Sequence, residues 1–129
     1  LAVPSAIDFL EGVLPGGLEA VRSHNRALVL EGREILCEAL GVQPPAPDSM
    51  LSSLVTLPLP APASDAPASG RVDPLQLALF ERHRVEVPIV HWPVKGQRWV
   101  RISAQVYNDR ADYERLAAGL VAEGEASRI

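Results

Sequence analysis

Apolar residues fall on one helical face in the first third of the chain and alternate with polar residues in the last third. A first helix is predicted to start at Ser5, because Ser5 and Asp8 have the spacing of a capping box. A longer helix is predicted from about Leu18 to Leu40, where apolar residues recur at helical spacing. Gly41 then provides a left-handed stop.

The middle of the chain combines a strand-like segment, a low-complexity segment and a helix start. Residues 51–57 have the pattern of a strand, and residues 58–70 are rich in Pro, Ala and Ser, which predicts an extended, mobile loop. Asp73 and Pro74 are an N-cap residue followed by proline at the first helical position. They predict a new helix that fades at His83.

The last third predicts two strands and a final helix. Residues 85–89 alternate, but Pro88 cannot donate a hydrogen bond to a neighbouring strand, so this strand should be an edge strand or bulged. Residues 99–106 have the clearest alternation of apolar and polar positions. Either Asn108 or Asp109 is expected to cap the final helix.

The predicted elements occur in the order α-α-β-α-β-β-α, and residues 123–129 are expected to fray. This order predicts an α+β fold, in which a small antiparallel sheet carries helices on one face. A length of 129 residues fits a single domain. The long helix has more turns than a small core needs, so part of it is expected to pack on something outside the chain.

Composition and charge exclude several classes of function. Lys and Arg total 12 against 16 Asp and Glu, for a net charge of -4, so the chain lacks the basic stripe of a nucleic-acid-binding protein. No apolar run approaches the roughly 20 residues of a membrane helix, and residues 1–10 do not have the pattern of a signal peptide. The single cysteine, Cys37, forms no intrachain disulfide and is expected to be packed and inert. A reducing, cytoplasmic setting is expected.

Arg101 is the most informative polar residue. Its neighbours along the strand mark the core face, so Arg101 belongs to the opposite face together with Trp99, Ser103 and Gln105. A guanidinium on such a covered, polar face can bind a carboxylate through two parallel hydrogen bonds. The alternative is a surface arginine stacked on Trp99.

Lys95 and His91 are weaker candidates for chemistry. Lys95 is the only lysine and lies in a turn predicted over residues 93–97, whereas a lysine that forms a Schiff base needs a desolvated, fixed site. His91 follows an apolar strand and stands beside Trp92, so it is a candidate for a pocket rim, with a structural role as the alternative. The histidines have no partners at metal-binding spacing.

Three stretches of the last third resemble the C-terminal end of class V aminotransferases. These stretches are His83–Ile89 (HRVEVPI), Val100–Asn108 (VRISAQVYN) and Asp112–Leu116 (DYERL). The branch that they look most like contains the isopenicillin N epimerase and cysteine desulfurase-like enzymes, which are pyridoxal-phosphate (PLP) proteins of fold type I. Pro4–Glu11 and His24-Asn25 also look like that branch, so the resemblance covers nearly the whole chain outside the Pro/Ala loop.

The resemblance implies that residues 1–129 are a small C-terminal domain and that the large PLP-binding domain is absent from this chain. In that family the large domain supplies the lysine that carries PLP, so PLP is expected in the intact parent enzyme and not covalently on this chain. The resemblance also implies that the parent enzyme is a homodimer. Cys37 does not match the reactive cysteine loop of the desulfurases, which leaves desulfurase chemistry unsupported.

The resemblance also assigns roles to single residues. By its place in the motif, Arg101 matches the arginine that binds the α-carboxylate of the amino-acid substrate. Ser103, Gln105 and Asn108 match the motif and are expected to shape the strand end and the helix cap. The polar face is expected to close against the large domain, and the helix from Leu18 is expected to begin as a bridge between the domains.

Two hypotheses of different class therefore stand. In the first, the chain is the C-terminal domain of a PLP-dependent enzyme that transforms amino acids (a transferase or an isomerase), and it is not catalytic alone. In the second, the chain is a self-sufficient α+β module whose Trp99/Arg101 face binds a ligand or a protein partner. The intact mass of the natural gene product separates them, since only the first hypothesis requires a much longer protein.

Overall fold

The structure is a computed structural model that describes residues 2–60, 72–94 and 96–126. Its helices and strands confirm both the α+β class and the predicted order of elements. Along the chain they are α1 (Ala2–Val13), α2 (Gly17–Leu40), β1 (Leu54–Pro58), α3 (Pro74–Ala78), β2 (Ile89–His91), β3 (Arg98–Ser103) and α4 (Arg110–Ala126). A 3₁₀ turn at Asp48–Met50 precedes β1, and a π-helical turn at Leu79–His83 continues α3.

In the described part of the chain, β3 is the central strand of a three-stranded antiparallel sheet, with β1 on one side and β2 on the other. Val55 pairs with Ile102, and Leu57 pairs with Val100. Ile89 pairs with Val100 from the other side. These side chains are buried and form one apolar face of the sheet, and buried residues of α2 and α4 complete the core against it.

The predicted ends of α2 and α3 are confirmed in atomic detail. Gly41 adopts a left-handed conformation with φ of 65°, and the Val42 N–H donates to the Cys37 carbonyl at 3.1 Å. This is the Schellman arrangement, which satisfies carbonyls that a helix end otherwise leaves unpaired. At the start of α3, Asp73 Oδ1 accepts a hydrogen bond from the Leu75 N–H at 2.8 Å.

Asp109, and not Asn108, caps α4. Asp109 Oδ1 accepts from the Asp112 N–H at 3.2 Å, and Asp112 Oδ2 accepts from the Asp109 N–H at 3.3 Å. This reciprocal pair is a capping box with aspartate at both positions.

The prediction of fraying is wrong for residues 123–126, which remain helical, and residues 127–129 lie outside the described residues. Glu123 is held by Arg82 and His83, each at 2.9 Å.

Two predicted boundaries are wrong. α1 already includes Ala2, so Ser5 lies inside the helix and is not its N-cap; Pro4 is tolerated because the first turn leaves its N–H groups unpaired in any case. Residues 85–88 are not a strand, because the Val85 N–H still bonds to Leu79 at the end of the π-helical turn. The strand is Ile89–His91, and it is an edge strand as Pro88 predicts.

The strand predicted over 99–106 is shorter than expected, and the loop predicted over 58–70 starts later than expected. β3 ends at Ser103 because the Asn108 side chain accepts from the Gln105 N–H at 3.1 Å and turns the chain. Pro58 belongs to β1, and the Leu59 N–H continues the pairing by donating to the Arg98 carbonyl at 2.9 Å. Residues 61–70 lie outside the described residues, so the mobility of that segment stays a prediction.

Tyr113 of α4 ties the helices to the sheet, and its titration makes stability depend on pH. Its hydroxyl donates to the Ser103 carbonyl at 2.9 Å. Burial, with a smaller contribution from the charge of Asp112, raises the pKa of Tyr113 to about 12 from an ordinary value of 10.0. The unfolded chain therefore loses this proton at a lower pH than the folded chain does. Stability from this group is complete below pH 10 and is lost as the pH rises through the folded pKa.

We expect Tyr113→Phe to remove part of the alkaline loss of stability. The free energy of unfolding, measured by denaturant titration at a series of alkaline pH values, should fall less steeply in this variant than in the parent chain. Tyr107→Phe is the control, because Tyr107 is 82% exposed and should leave the slope unchanged. An equally steep fall in Tyr113→Phe would contradict the role of this hydroxyl.

Candidate functional site

The sheet face opposite the core is open in the described part of the chain. Register places Trp99, Arg101 and Ser103 of β3 on this face, opposite Pro58, Thr56 and Leu54 of β1. Val90 of β2 pairs with Trp99 on the same face. We use the term open face for the side chains of Leu54, Thr56, Val90, Trp99, Arg101 and Ser103. Arg101 and Ser103 are exposed on it, and Leu54 is 45% exposed.

Arg101 presents an unpaired guanidinium on the open face. Its backbone N–H donates to the Pro88 carbonyl at 3.1 Å. Within the described ranges its side chain has no ion pair or hydrogen bond. Most other described arginines have an acidic or carbonyl partner; they are Arg22, Arg26, Arg33, Arg82, Arg98, Arg110 and Arg115. The fork of N–H donors on Arg101 is therefore available to a ligand carboxylate.

The Trp99 ring is fixed next to Arg101 by contacts of its own. Trp99 Nε1 donates to the Trp92 carbonyl at 2.7 Å, and the two indole rings meet edge to face with centroids 6.4 Å apart at 65°. This geometry is one that aromatic pairs prefer. The described contacts of Trp99 thus join it to Trp92, and no cation–π contact with Arg101 is found among the described residues.

A cavity of about 450 Å³ lies on the open face, and its lining includes the neighbours of Arg101 but not Arg101 itself. Leu54, Thr56, Val90 and Trp99 of the open face line it together with Trp92. Its other walls include Pro45, Ala46 and Leu51 from the segment between α2 and β1. Ligand pockets have volumes of roughly 300–1,000 Å³ and mostly apolar walls, so this cavity has the size and character of a binding site.

Two arginines of α2 hold the wall segment in place. Arg33 is 5% exposed, and its Nη2 forms an ion pair with Asp48 Oδ1 at 2.7 Å. Arg26 donates to the carbonyls of Asp48 (2.8 Å) and Leu51 (3.2 Å). Sequence reasoning missed Arg33, which also lines the cavity. Its spacing from Val29 and Leu36 does place it on the buried side of the helix, and a charge there is a signal of a special role.

His91 lies on the core side of the sheet and not on the open face. Its Nε2 bonds to Asp73 Oδ2 at 2.9 Å, while its Nδ1 accepts from the Gly96 N–H at 3.1 Å. Because Nδ1 is an acceptor, the proton belongs on Nε2. Arg98 Nη1 approaches the same buried carboxylate at 3.5 Å. These contacts give His91 a structural part in holding the turn to the start of α3.

Gln105 and Ser103 differ in placement from Arg101. Gln105 Oε1 accepts from Asn25 Nδ2 at 3.0 Å and from the Val106 N–H at 2.8 Å, so this side chain is directed to α2. Ser103 is exposed on the open face. Asn108 accepts from the Gln105 N–H, which fits the strand-end role expected from the resemblance, and it donates to Asp112 Oδ2, whereas the cap of α4 is Asp109. The structure therefore brings Trp99, Arg101 and Ser103 together, and separates His91 and Gln105 from them.

The remaining candidates add no chemistry to the described site. Lys95 lies outside the described residues. Cys37 is half-buried, and burial raises the pKa of its thiol, which disfavours the reactive thiolate. Residues 2–60, 72–94 and 96–126 contain no group of three or more His, Cys, Asp or Glu side chains that could hold a metal ion. None of their helices is long and apolar enough to cross a membrane.

Comparison with known proteins identifies a class of longer enzymes. The chain is 34% identical over 137 residues to a probable chloroplastic L-cysteine desulfhydrase of Arabidopsis thaliana, a match to 96% of this chain and 28% of the relative. It is 34% identical over 144 residues to putative L-cysteine desulfhydrase 1 of Oryza sativa subsp. japonica, covering 98% of the chain and 30% of the relative. It is also 34% identical over 122 residues to isopenicillin N epimerase of Amycolatopsis lactamdurans, covering 93% and 28%.

These matches confirm the resemblance that the motifs indicate. The chain is similar over nearly its whole length to L-cysteine desulfhydrases and to isopenicillin N epimerase, and it spans less than a third of the length of these relatives. That share is consistent with a C-terminal part of a PLP-dependent class V enzyme. No protein-family model matches the chain. One relative is named as chloroplastic, so a cytoplasmic setting stays a prediction.

Proposed function

We propose that the chain is the C-terminal domain of a PLP-dependent enzyme that transforms amino acids, and that Arg101 binds the α-carboxylate of the substrate. The observation that carries the proposal is an exposed guanidinium with no described partner on the central strand of an open, largely apolar face. A charge in such surroundings is stabilised when a carboxylate pairs with it. The length of the relatives supports a larger domain that covers this face.

The described residues do not offer a site for PLP itself. Enzymes that use PLP hold it through a lysine Schiff base and an acidic or basic partner of the pyridinium nitrogen. The only lysine of the chain lies outside the described residues. The buried carboxylate of Asp73 is already occupied by His91, Arg98 and the Leu75 N–H. We therefore assign the cofactor to the larger domain.

The contribution of this chain is to orient the substrate. A carboxylate held by two parallel N–H···O bonds can neither rotate nor translate freely, so the α-carbon of the amino acid is kept in a defined position. The apolar walls around Arg101 exclude water once the larger domain covers the face, and exclusion of water strengthens the ion pair. Without the larger domain, the chain binds without turning substrate over.

We expect Arg101→Gln in the full-length protein to raise the KM for amino-acid substrates by roughly 10- to 100-fold, which corresponds to the loss of a charge-assisted hydrogen-bonded pair. Arg101→Lys should have a smaller effect, because lysine keeps the charge and loses the planar fork. Steady-state kinetics with an amino-acid substrate measure both changes.

Arg84→Gln is the matched control for this experiment. Like Arg101, Arg84 is exposed and has no described ion pair. Unlike Arg101, it follows the π-helical turn and is not part of the open face. It should leave the KM unchanged. If Arg101→Gln and Arg84→Gln give the same KM as the parent protein, Arg101 does not bind the substrate.

A further inference from the structure

The cavity beside Arg101 points to the size and chemistry of the substrate side chain. Arg101 stands directly opposite Thr56 in the register and two positions from Trp99 on its own strand. Opposed residues have Cβ atoms roughly 5 Å apart, and alternate residues of a strand lie about 7 Å apart on the same face. Both Thr56 and Trp99 line the cavity, whereas Arg101 does not, so a carboxylate on Arg101 would lie outside the cavity walls and next to them.

We infer that this cavity receives the side chain of the substrate and that the substrates are amino acids with large apolar or aromatic side chains. This inference rests on the proposed function of Arg101. An apolar cavity of about 150 Å³ already holds a benzene molecule, whereas this one measures about 450 Å³. The side chain of cysteine, one methylene and a thiol, would leave most of that volume empty.

The walls select apolar side chains. Trp92, Trp99, Leu54 and Val90 present hydrocarbon surface to the cavity. Among its lining residues the sole charged side chain is the buried Arg33, whose Nη2 pairs with Asp48 at 2.7 Å while its Nε and Nη1 have no hydrogen-bond partner among the described residues. A cationic substrate side chain would lose its hydration here and would meet the Arg33 guanidinium and no acidic lining residue, and that loss is costly. Burial of an apolar side chain is favourable in the same place.

The rigidity of the walls also fits a specific pocket. The Trp99 indole is anchored to the Trp92 carbonyl at 2.7 Å, and the wall segment is clamped to α2 through Asp48 and Leu51 by hydrogen bonds from Arg26. Walls that are already ordered lose little conformational entropy on binding, so more of the interaction energy appears as affinity.

The test uses the full-length protein and two carboxylates that lack an α-amino group and therefore bind without reacting. Titration calorimetry compares propanoate with 3-phenylpropanoate. We expect the phenyl compound to bind at least about tenfold more tightly, because its ring is buried in the cavity. Val90→Trp should fill the cavity and abolish this preference while the binding of propanoate stays the same.

Val121→Trp is the matched control, since Val90 and Val121 are each 37% exposed and Val121 is on α4, away from the cavity. It should keep the preference. Equal binding of the two carboxylates by the parent protein would overturn the inference, and so would a Val90→Trp variant that retains the preference.

Arg101→Gln separates this inference from the proposed function. Two results together support both the carboxylate role of Arg101 and the side-chain pocket. Arg101→Gln should lose binding of both carboxylates, and Val90→Trp should lose only the preference for the phenyl compound. If Arg101→Gln binds both compounds as the parent does, the carboxylate role of Arg101 is wrong, and the side-chain pocket that rests on it is overturned with it. If Arg101→Gln weakens both compounds but the parent protein shows no phenyl preference, only the side-chain pocket is wrong.

Discussion

Asp73→Ala is expected to lower the free energy of unfolding by roughly 3–5 kcal/mol, the usual cost of removing one partner from a buried ion pair. The Asp73 side chain is 3% exposed and meets His91 Nε2 at 2.9 Å and Arg98 Nη1 at 3.5 Å. It also caps α3 through the Leu75 N–H. The substitution leaves a largely buried guanidinium without its counter-charge and removes the cap at once. Chemical denaturation followed by circular dichroism measures the change.

Two variants separate the parts of this effect. Asp73→Asn keeps an oxygen that can cap the helix and removes only the negative charge, so it should destabilise less than Asp73→Ala. Glu19→Ala removes an ion pair between two exposed side chains, Glu19 (80% exposed) and Arg22 (70% exposed). It should change the free energy of unfolding by less than about 1 kcal/mol. If Asp73→Ala costs no more than Glu19→Ala, the buried cluster does not stabilise the fold.

Gly32→Ala is expected to destabilise the fold by about 1–3 kcal/mol, the range found for overpacked cores. A Cβ atom at residue 32 would lie 2.7 Å from Cγ and Cδ1 of the Tyr113 ring, which is closer than real Cβ atoms approach. The close approach of α2 and α4 at this point leaves the ring no room, because Tyr113 is 4% exposed and its hydroxyl is bonded to Ser103. Denaturant titration measures the loss.

Gly124→Ala is the control with the opposite expected sign. A Cβ atom at residue 124 of α4 meets nothing within 4 Å, so alanine should stabilise the helix by up to about 1 kcal/mol through its higher helix propensity. If Gly32→Ala were also stabilising, the ring of Tyr113 would have to move without cost, and the tight contact would not constrain the core.

Much of the fold is predictable from local signals in the sequence. The helix α2 was expected at residues 18–40 and occurs at Gly17–Leu40, because Gly41 and the helical spacing before it act within a few residues of each other. The same holds for Asp73 and Pro74 at the start of α3. The alternation in β3 places Val100 and Ile102 in the core and Arg101 outside it, as predicted from the period of a strand.

The site was only half predictable, because its other half depends on contacts between distant segments. Alternation placed Trp99 and Arg101 on one face, but no local pattern indicates that Thr56 lies opposite Arg101. The strand expected over residues 85–89 begins only at Ile89, since the Val85 N–H bonds to the Leu79 carbonyl of the preceding π-helical turn. Gln105 has the strand parity of Arg101, yet β3 ends before it and its side chain turns to Asn25.

The central position of β3 separates what is constant in this face from what can vary. Neighbouring strands pair with β3 on both sides, so Arg101 cannot shift without disturbing the pairing of β3 with β1 and breaking its own hydrogen bond to Pro88. The cavity walls come from peripheral pieces instead: the edge strand β2, the turn after it and the segment before β1. Substitutions and insertions in such peripheral segments are tolerated better than changes in a central strand. Under the role proposed for Arg101, an enzyme built on this frame can acquire new substrates by remodelling the margin of the sheet while Arg101 keeps binding the same carboxylate.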